Sequence, residues 1–307
     1  MRETLPSCAD VIVVGAGNAA FCAALAAAEH SVSVLMLECA PENEAGGNSR
    51  FTAGAFRCVY NGVDDLRALM PDLTDDEVAK SDFGTYTEEK FFDDMGRVTE
   101  YRTDPDLCEI LVKRSKETMV WMRDKGVRFM PIWGRQAYKM DGKFKFWGGL
   151  TVEAWGGGPG LVDALTAIAH RNNVAIAYGA RALSLIVDDD GVKGVRVKHM
   201  GKTVEVRAKS IVLAAGGFQA NAEMRTRYLG PLWELAKVRG TRFQYWRRHK
   251  NGVGDRRDAD RELVGRPCCR LGPQCSRIRR SLCRGQFPKT FLSVGHHDQC
   301  QRRAFPR

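Results

Sequence analysis

Two glycines, a small residue and an acid near the amino terminus have the spacing of a nucleotide-binding site. Gly15, Gly17 and Ala20 fall in GAGNAA, which fits G-x-G-x-x-G/A, and Glu38 follows 18 residues after Ala20. In this pattern the first glycine permits a tight turn, the second lets the backbone approach a pyrophosphate, and the third residue lets helix and strand pack closely. An acid at this distance accepts hydrogen bonds from an adenosine ribose and disfavours a 2′-phosphate, so the expected ligand is a dinucleotide other than NADP.

The segments around these residues predict a strand–turn–helix–strand unit. ADVIVV, residues 9–14, is a short apolar run typical of a buried strand, and FCAALAAAE, residues 21–29, is an Ala-rich helix pattern. VSVLMLE, residues 32–38, is a second apolar strand that ends in the acid. An Ala-rich packing turn without a ligand is the alternative explanation of GAGNAA. The flanking strands and the acid favour a nucleotide-binding βαβ unit.

A second run rich in small residues follows the acid. Residues 46–54 read GGNSRFTAG, which offers backbone N–H groups and short polar side chains to a phosphate or a flavin edge. An ordinary surface turn is the alternative, but it does not require small residues at so many positions. Residues 174–218 then read as a β-meander with Asp-Gly and Met-Gly turns, whose last strand, 210–215, runs into Gly216. The two features favour FAD over NAD.

Several longer segments resemble one family of flavoproteins. DVIVVGAGNAA, LECAPENEAGGNSRFTAGA and SIVLAAGGFQAN are similar to segments of the fumarate reductase and succinate dehydrogenase flavoproteins. SDFGTYTEEKFFDDMGRVTEYRTDPDL, GGLTVEAWGGGPGLVDAL and NAEMRTRYLGP resemble the FAD-dependent tricarballylate dehydrogenases in particular. The resemblance extends from about residue 10 to residue 243.

The resemblance implies a set of FAD contacts. The pyrophosphate, the ribose, the isoalloxazine and the adenine would each be contacted by a separate group of small or polar residues. The pyrophosphate contacts would be Gly15, Gly17, Asn18 and Ala19; the ribose contact Glu38; the loop contacts Gly47, Asn48, Ser49, Thr52, Ala53 and Gly54; and the contacts near adenine and the nucleotide Ala182, Ala215 and Gly216. No histidine neighbours GGNSR for covalent attachment, so non-covalent FAD is expected.

The resemblance also implies a reaction and a partner. A hydride passes from a substrate carbon to flavin N5 while a base takes the neighbouring proton, which converts tricarballylate to cis-aconitate. Electrons then leave through a membrane-associated iron–sulfur protein. The family's arginine for proton transfer lies beyond residue 243, where the likeness ends, so no catalytic residue is assigned and this chain is expected to be impaired.

The last 64 residues differ from the rest. Residues 244–307 carry 16 Lys+Arg and 5 Asp+Glu, whereas residues 1–243 carry 31 and 32, and five cysteines crowd the tail. A nucleic-acid arm and a metal site are the alternatives, but the arginines are irregular and no paired C-x-x-C spacing exists. Codons can be chosen for QYWRRHKNGVGDRRDAD that encode NTGDGIKMALEIGAMP one base over, which supplies the family's missing Gly-Asp-Gly loop. We therefore interpret the tail as out-of-frame translation.

The expected fold is α/β, with a glutathione-reductase-like FAD-binding domain at 1–243 that contains a parallel sheet, a β-meander and a mainly helical insertion at 60–150. The capping domain is expected to be missing and the tail, 244–307, to be disordered. No signal peptide or long apolar segment is visible, so a cytoplasmic location is expected. Three alternatives stay open: a flavin-containing precorrin-3B synthase-like protein, a fumarate reductase or succinate dehydrogenase type enzyme acting on another dicarboxylate, and a nucleic-acid-binding protein with a basic tail.

Overall fold

The computed structural model describes residues 4–146, 149 and 151–245 of the chain. They divide into two compact units. The first comprises the described residues up to Phe51 and from Val162 onward, and the second is Thr52–Leu161. Of the tail predicted to be out of frame and disordered, residues 244–307, Gln244 and Tyr245 are described, and Gln244 accepts a hydrogen bond from Asn48. The other residues of this prediction lie outside the described ranges.

The described residues form fourteen strands, nine α-helices and three 3₁₀ helices. The strands are β1 Cys8–Val14, β2 Val34–Leu37, β3 Ala55–Phe56, β4 Tyr60–Asn61, β5 Ser81–Asp82, β6 Thr85–Tyr86, β7 Phe129–Pro131, β8 Ala137–Met140, β9 Lys143–Phe146, β10 Val152–Ala154, β11 Ala175–Ala177, β12 Arg181–Asp188, β13 Gly191–His199 and β14 Lys202–Leu213. The α-helices are α1 Asn18–Ala28, α2 Val63–Leu69, α3 Asp75–Ala79, α4 Glu88–Thr99, α5 Pro105–Lys113, α6 Ser115–Lys125, α7 Trp133–Gln136, α8 Gly157–Arg171 and α9 Ala222–Leu229. The 3₁₀ helices are Glu42–Glu44, Gly47–Phe51 and Trp233–Leu235.

The first unit is built on a sheet of the order β11-β2-β1-β14-β13-β12. β11, β2, β1 and β14 run parallel to their neighbours, and β12, β13 and β14 pair antiparallel as the predicted meander. β2 is buried at every position, as expected for a central parallel strand covered on both faces. The Ala-rich helix α1 follows β1 directly, and its Ala20 and Ala24 are fully buried. Small side chains let the helix lie close to the sheet.

β14 differs from the sequence prediction in its length. We predicted a separate last strand at 210–215, whereas one strand runs through Lys202–Leu213. Its first half pairs antiparallel with β13, and its second half pairs parallel with β1 from the register Cys8–Arg207 to the register Val14–Leu213. Arg207 pairs on both sides, with Gly194 and with Cys8, so the antiparallel and parallel ladders share one strand without a break.

The second unit contains the predicted insertion. It contains helices α2–α7 and three small sheets, with the strand orders β3-β10-β7, β4-β6 and β5-β9-β8. Aromatic rings fill part of its core, where Phe83 stacks on Phe146 with 5.0 Å between ring centroids. The buried Tyr60 hydroxyl donates to the Phe83 carbonyl at 2.6 Å. Among the described residues, no helix combines the length and the apolar composition that a membrane crossing needs.

Candidate functional site

The glycine turn after β1 is closed by backbone contacts with two neighbouring strands. The Gly15 N–H donates to Leu37 O at 2.8 Å, and Ala214 N–H donates to Val14 O at 2.9 Å. Gly15 has φ +116°, and a Cβ there would lie 2.5 Å from Ala214 O. Only glycine fits this position, because both the conformation and the space exclude a side chain.

The N-terminus of α1 meets the second run of small residues. Ser49 Oγ accepts a hydrogen bond from Asn18 N–H at 3.0 Å. A Cβ on Gly17 would lie 3.4 Å from the same Ser49 Oγ, and a Cβ on Gly47 would lie 3.9 Å from the Gly17 Cα. The first hydrogen bond along the helix joins Phe21 N–H to Gly17 O, and Asn18 N–H is bonded to Ser49, so in the first turn Ala19 N–H is available to an anion.

Glu38 is held at the end of β2 by the strand that follows α8. Its N–H donates to Ala177 O at 2.9 Å, and its carbonyl accepts from Ala180 N–H at 2.8 Å. The side chain is buried, and its Oε1 accepts from Ala40 N–H at 2.7 Å. These bonds fix the carboxylate in one orientation at the carboxyl edge of the parallel strands.

The remaining predicted site residues fall into two groups. Ala182 lies in β12 opposite Val197, two residues after Ala180, and Ala215 lies against Gly15, 3.3 Å from its Cβ position. Gly216 follows directly. The first unit therefore brings its predicted residues to the carboxyl ends of β1, β2 and β14, where a doubly wound sheet binds ligands.

Thr52, Ala53 and Gly54 belong to the second unit. Thr52 O accepts from Gly158 N–H at 3.1 Å, and Gly54 N–H donates to Thr52 Oγ1 at 3.0 Å. A Cβ on Gly54 would lie 2.6 Å from the Gly157 carbonyl carbon. These small residues allow close backbone packing at the start of α8, which gives them a role within this unit.

Asn48 has partners that the sequence did not reveal. Its Oδ1 accepts from Thr241 N–H at 3.0 Å, and its Nδ2 donates to Gln244 Oε1 at 2.7 Å. A Cβ on Gly240 would lie 2.4 Å from the same Oδ1. Residues 239–245, here called the strap, thus lie along residues 38–51. No sequence signal indicated this contact, because it joins residues almost 200 positions apart and its Gln244 end lies beyond the family likeness.

Two arginines of the strap make further contacts, one with a carboxylate and one with a backbone carbonyl. Arg242 pairs with Glu44 at 2.7 Å, and Arg239 Nη2 donates to Phe51 O at 2.5 Å. Both contacts are exposed, so each contributes little to stability by itself.

The donor set fits a dinucleotide. The turn contains glycines at which an added side chain would occupy the space beside the backbone. N–H groups lie at the first turn of α1, and a buried carboxylate follows β2. Backbone N–H groups at a helix N-terminus suit a pyrophosphate, and a fixed carboxylate suits the hydroxyls of a ribose.

The Cys39 thiol beside Glu38 is expected to react slowly. Burial, assisted by the Glu38 carboxylate, raises the pKa of the Cys39 thiol to about 12. Since the thiolate is the reactive species, alkylation of Cys39 at pH 8 should be at least about tenfold slower than that of the exposed Cys8. Site-resolved mass spectrometry after timed iodoacetamide treatment measures both rates. Equal alkylation rates of Cys39 and Cys8 in the folded protein would contradict the raised pKa of Cys39. In urea, where both thiols are exposed, the two rates should be equal, which provides the control.

Comparison with known proteins places this site in a family. Residues 10–238 match the family model described as FAD binding domain. Fumarate reductase (cytochrome) of Shewanella frigidimarina is 30% identical over 216 residues, which cover 70% of this chain and 34% of that protein. Urocanate reductase of Eggerthella lenta is 30% identical over 236 residues, which cover 74% of this chain and 34% of that protein. The chain thus spans about a third of the length of these relatives.

Solved structures show the same fold. The open conformation of a flavocytochrome c3 fumarate reductase aligns with a TM-score of 0.55 at 28% identity, over 72% of this chain and 36% of the other. A 3-ketosteroid-delta4-(5alpha)-dehydrogenase from Rhodococcus jostii RHA1 aligns with a TM-score of 0.57 at 24% identity, over 74% of this chain and 50% of the other. The family model begins within β1 and extends past α9, and the chain therefore belongs to the FAD-binding-domain family of flavoproteins of the fumarate reductase type, with FAD as its cofactor.

Proposed function

We propose that this chain is the FAD-binding part of an oxidoreductase that dehydrogenates a tricarboxylate, tricarballylate, to cis-aconitate. The observation that carries the FAD-dependent part of the proposal is the meeting of the Gly15 turn, the N-terminus of α1 and buried Glu38 at one edge of the sheet. The relatives in this family are reductases and dehydrogenases, which supports a redox reaction.

The pyrophosphate and the ribose of FAD each have matching residues in this proposal. Gly15, Gly17, Asn18 and Ala19 line the pyrophosphate. Ala19 N–H is offered as its donor, because the N–H groups of Gly15 and Asn18 bond Leu37 O and Ser49 Oγ. Glu38 accepts hydrogen bonds from the ribose. Ser49 orients the loop through its bond with Asn18 N–H, 3.0 Å long. When bound, FAD supplies the hydride acceptor. The protein's own residues bind and orient it.

The choice of substrate rests on the likeness of three segments to tricarballylate dehydrogenases. They are residues 81–107, 148–165 and 221–231. The named relatives differ in substrate, with fumarate, urocanate and vinyl phenol among those in their names, so family membership by itself leaves the substrate open. We further propose a membrane-associated iron–sulfur protein as electron acceptor and a cytoplasmic location for this chain.

The proposal includes a change of reading frame near Phe243. The frame-shifted reading supplies NTGDG followed by an apolar-periodic helix, and the basic tail then needs no function. A tail that is genuinely encoded would instead favour the nucleic-acid-binding alternative, whose binding would fall steeply with salt.

Sequencing the DNA across codons 242–260 and assaying the encoded and frame-corrected chains tests this proposal. We expect the corrected chain to reduce an artificial electron acceptor when tricarballylate is added, and the 307-residue chain to be much less active. Succinate and tricarballylate are compared at equal concentration. If succinate but not tricarballylate supported reduction of the acceptor, the proposed substrate would be wrong. A gene without a frame shift would contradict the proposed change of reading frame.

A further inference from the structure

The carboxamide of Gln244 lies where the glycines of the site leave space. A Cβ on Gly216, which has φ +75°, would lie 2.2 Å from Gln244 Nε2, and a Cβ on Gly47 would lie 3.9 Å from the same nitrogen. Gly216 closely follows β14, and Gly47 begins the 3₁₀ helix Gly47–Phe51, so the carboxamide lies near both of these segments. Glycines at this edge commonly leave room for a dinucleotide.

A carboxamide and a cofactor group cannot occupy the same space. Since close approach of FAD needs the space beside Gly216, Gln244 has to leave it first. We infer that the Gln244 side chain competes with FAD for this part of the site, so that FAD binding displaces it. This inference rests on the family's cofactor and is independent of the proposed substrate.

The contacts of the strap indicate that the side chain can leave while the backbone stays. Asn48 Oδ1 is held by Thr241 N–H at 3.0 Å, and Arg242 is held by Glu44 at 2.7 Å. Neither contact involves the Gln244 side chain. Among the described residues, displacement therefore breaks the neutral hydrogen bond from Asn48 Nδ2 to Gln244 Oε1, and it needs rotation only about the Gln244 side-chain bonds.

A titration of the full-length apoprotein with FAD, followed by flavin fluorescence, tests the inference. Gln244→Ala vacates the space and removes the competing bond, so FAD should bind roughly three- to tenfold more tightly, the range expected for one neutral hydrogen bond. Gln244→Asn, which keeps the carboxamide but shortens the side chain by one methylene, should give an intermediate gain. Gln219→Ala is the matched control, because the Gln219 carboxamide lies against the neighbouring Gly217 in the same way, 2.7 Å from its Cβ position.

Equal or weaker FAD binding by Gln244→Ala would overturn the inference, and weaker binding would identify Gln244 as an FAD ligand instead. The same gain in Gln219→Ala would also overturn it, because the effect would then not be specific to the strap. Urea denaturation of the apoproteins checks that the variants share the wild-type midpoint. The titration contains no substrate, so its failure and a failure of the tricarballylate assay are separate results.

Discussion

Replacing Gly15 with alanine is expected to lower the free energy of unfolding by about 2–5 kcal/mol and to abolish FAD retention. The residue has φ +116°, and the new Cβ would lie 2.5 Å from Ala214 O and 3.3 Å from Ala215 Cα. These are backbone atoms fixed by the sheet, since Ala214 N–H bonds Val14 O at 2.9 Å. The clash therefore has no flexible side chain to relieve it.

Gly191→Ala separates backbone strain from crowding. Gly191 has φ +110°, close to that of Gly15, but no atom lies within 4 Å of its Cβ position. Its replacement should therefore cost only the conformational part, about 1–2 kcal/mol, and leave FAD binding unchanged. Urea denaturation measures the stability of both variants, and a flavin titration measures binding. Equal costs in the two variants would contradict the crowding argument.

Replacing Arg225 with methionine is expected to lower the free energy of unfolding by roughly 3–5 kcal/mol. Arg225 is buried in α9, and its guanidinium donates to backbone carbonyls of the segments before and after the helix: Gln219 O at 2.5 Å, and Trp233 O at 2.9 Å and Glu234 O at 3.1 Å. Methionine fills much of the volume but donates no hydrogen bond, so these part-buried carbonyls would lose a charged donor. The loop after α9 should then open locally.

Arg227→Met, two residues along the same helix, is the matched control. Arg227 is exposed and its guanidinium lies 5.7 Å from the Tyr228 ring centroid, a contact of small energy at the surface. Its replacement should change stability by less than about 0.5 kcal/mol. Urea denaturation gives both values, and limited proteolysis reports opening after α9. An Arg225→Met protein as stable and as resistant as Arg227→Met would show that the carbonyl contacts contribute little.

The βαβ unit was predictable because its signals are local. The apolar run at 9–14, the glycine pattern and the acid at Glu38 stand close together in the chain, and β1, α1 and β2 form at those places. The first strand of the predicted meander, β11, does not pair with the other meander strands. β11 pairs in parallel with β2, and residues 178–180 then turn along Glu38 and Ala40. An apolar run does not reveal which neighbour a strand will choose.

The contacts that complete the site were not predictable. Ser49 reaches Asn18 N–H across 31 residues, and Asn48 reaches Gln244 across 196. Such hydrogen bonds depend on where the sheet brings the loops, and no local pattern encodes that. The glycines show only that space is needed. They do not show whether a cofactor or a side chain fills it, as Gly216 and Gln244 illustrate.

The continuous strand β14 imposes an order on folding. Its antiparallel half joins β13 across a short turn, whereas its parallel half joins residues almost 200 positions apart, such as Val11 and Ser210. Local pairing forms readily, but the distant pairing carries a large loop-closure entropy. At a synthesis rate of roughly 5–20 residues per second, the parallel half of β14 is therefore made on the order of ten seconds or more after β1. During that interval one edge of β1 has no partner strand and can pair wrongly, so this chain should depend on chaperones during and soon after its synthesis.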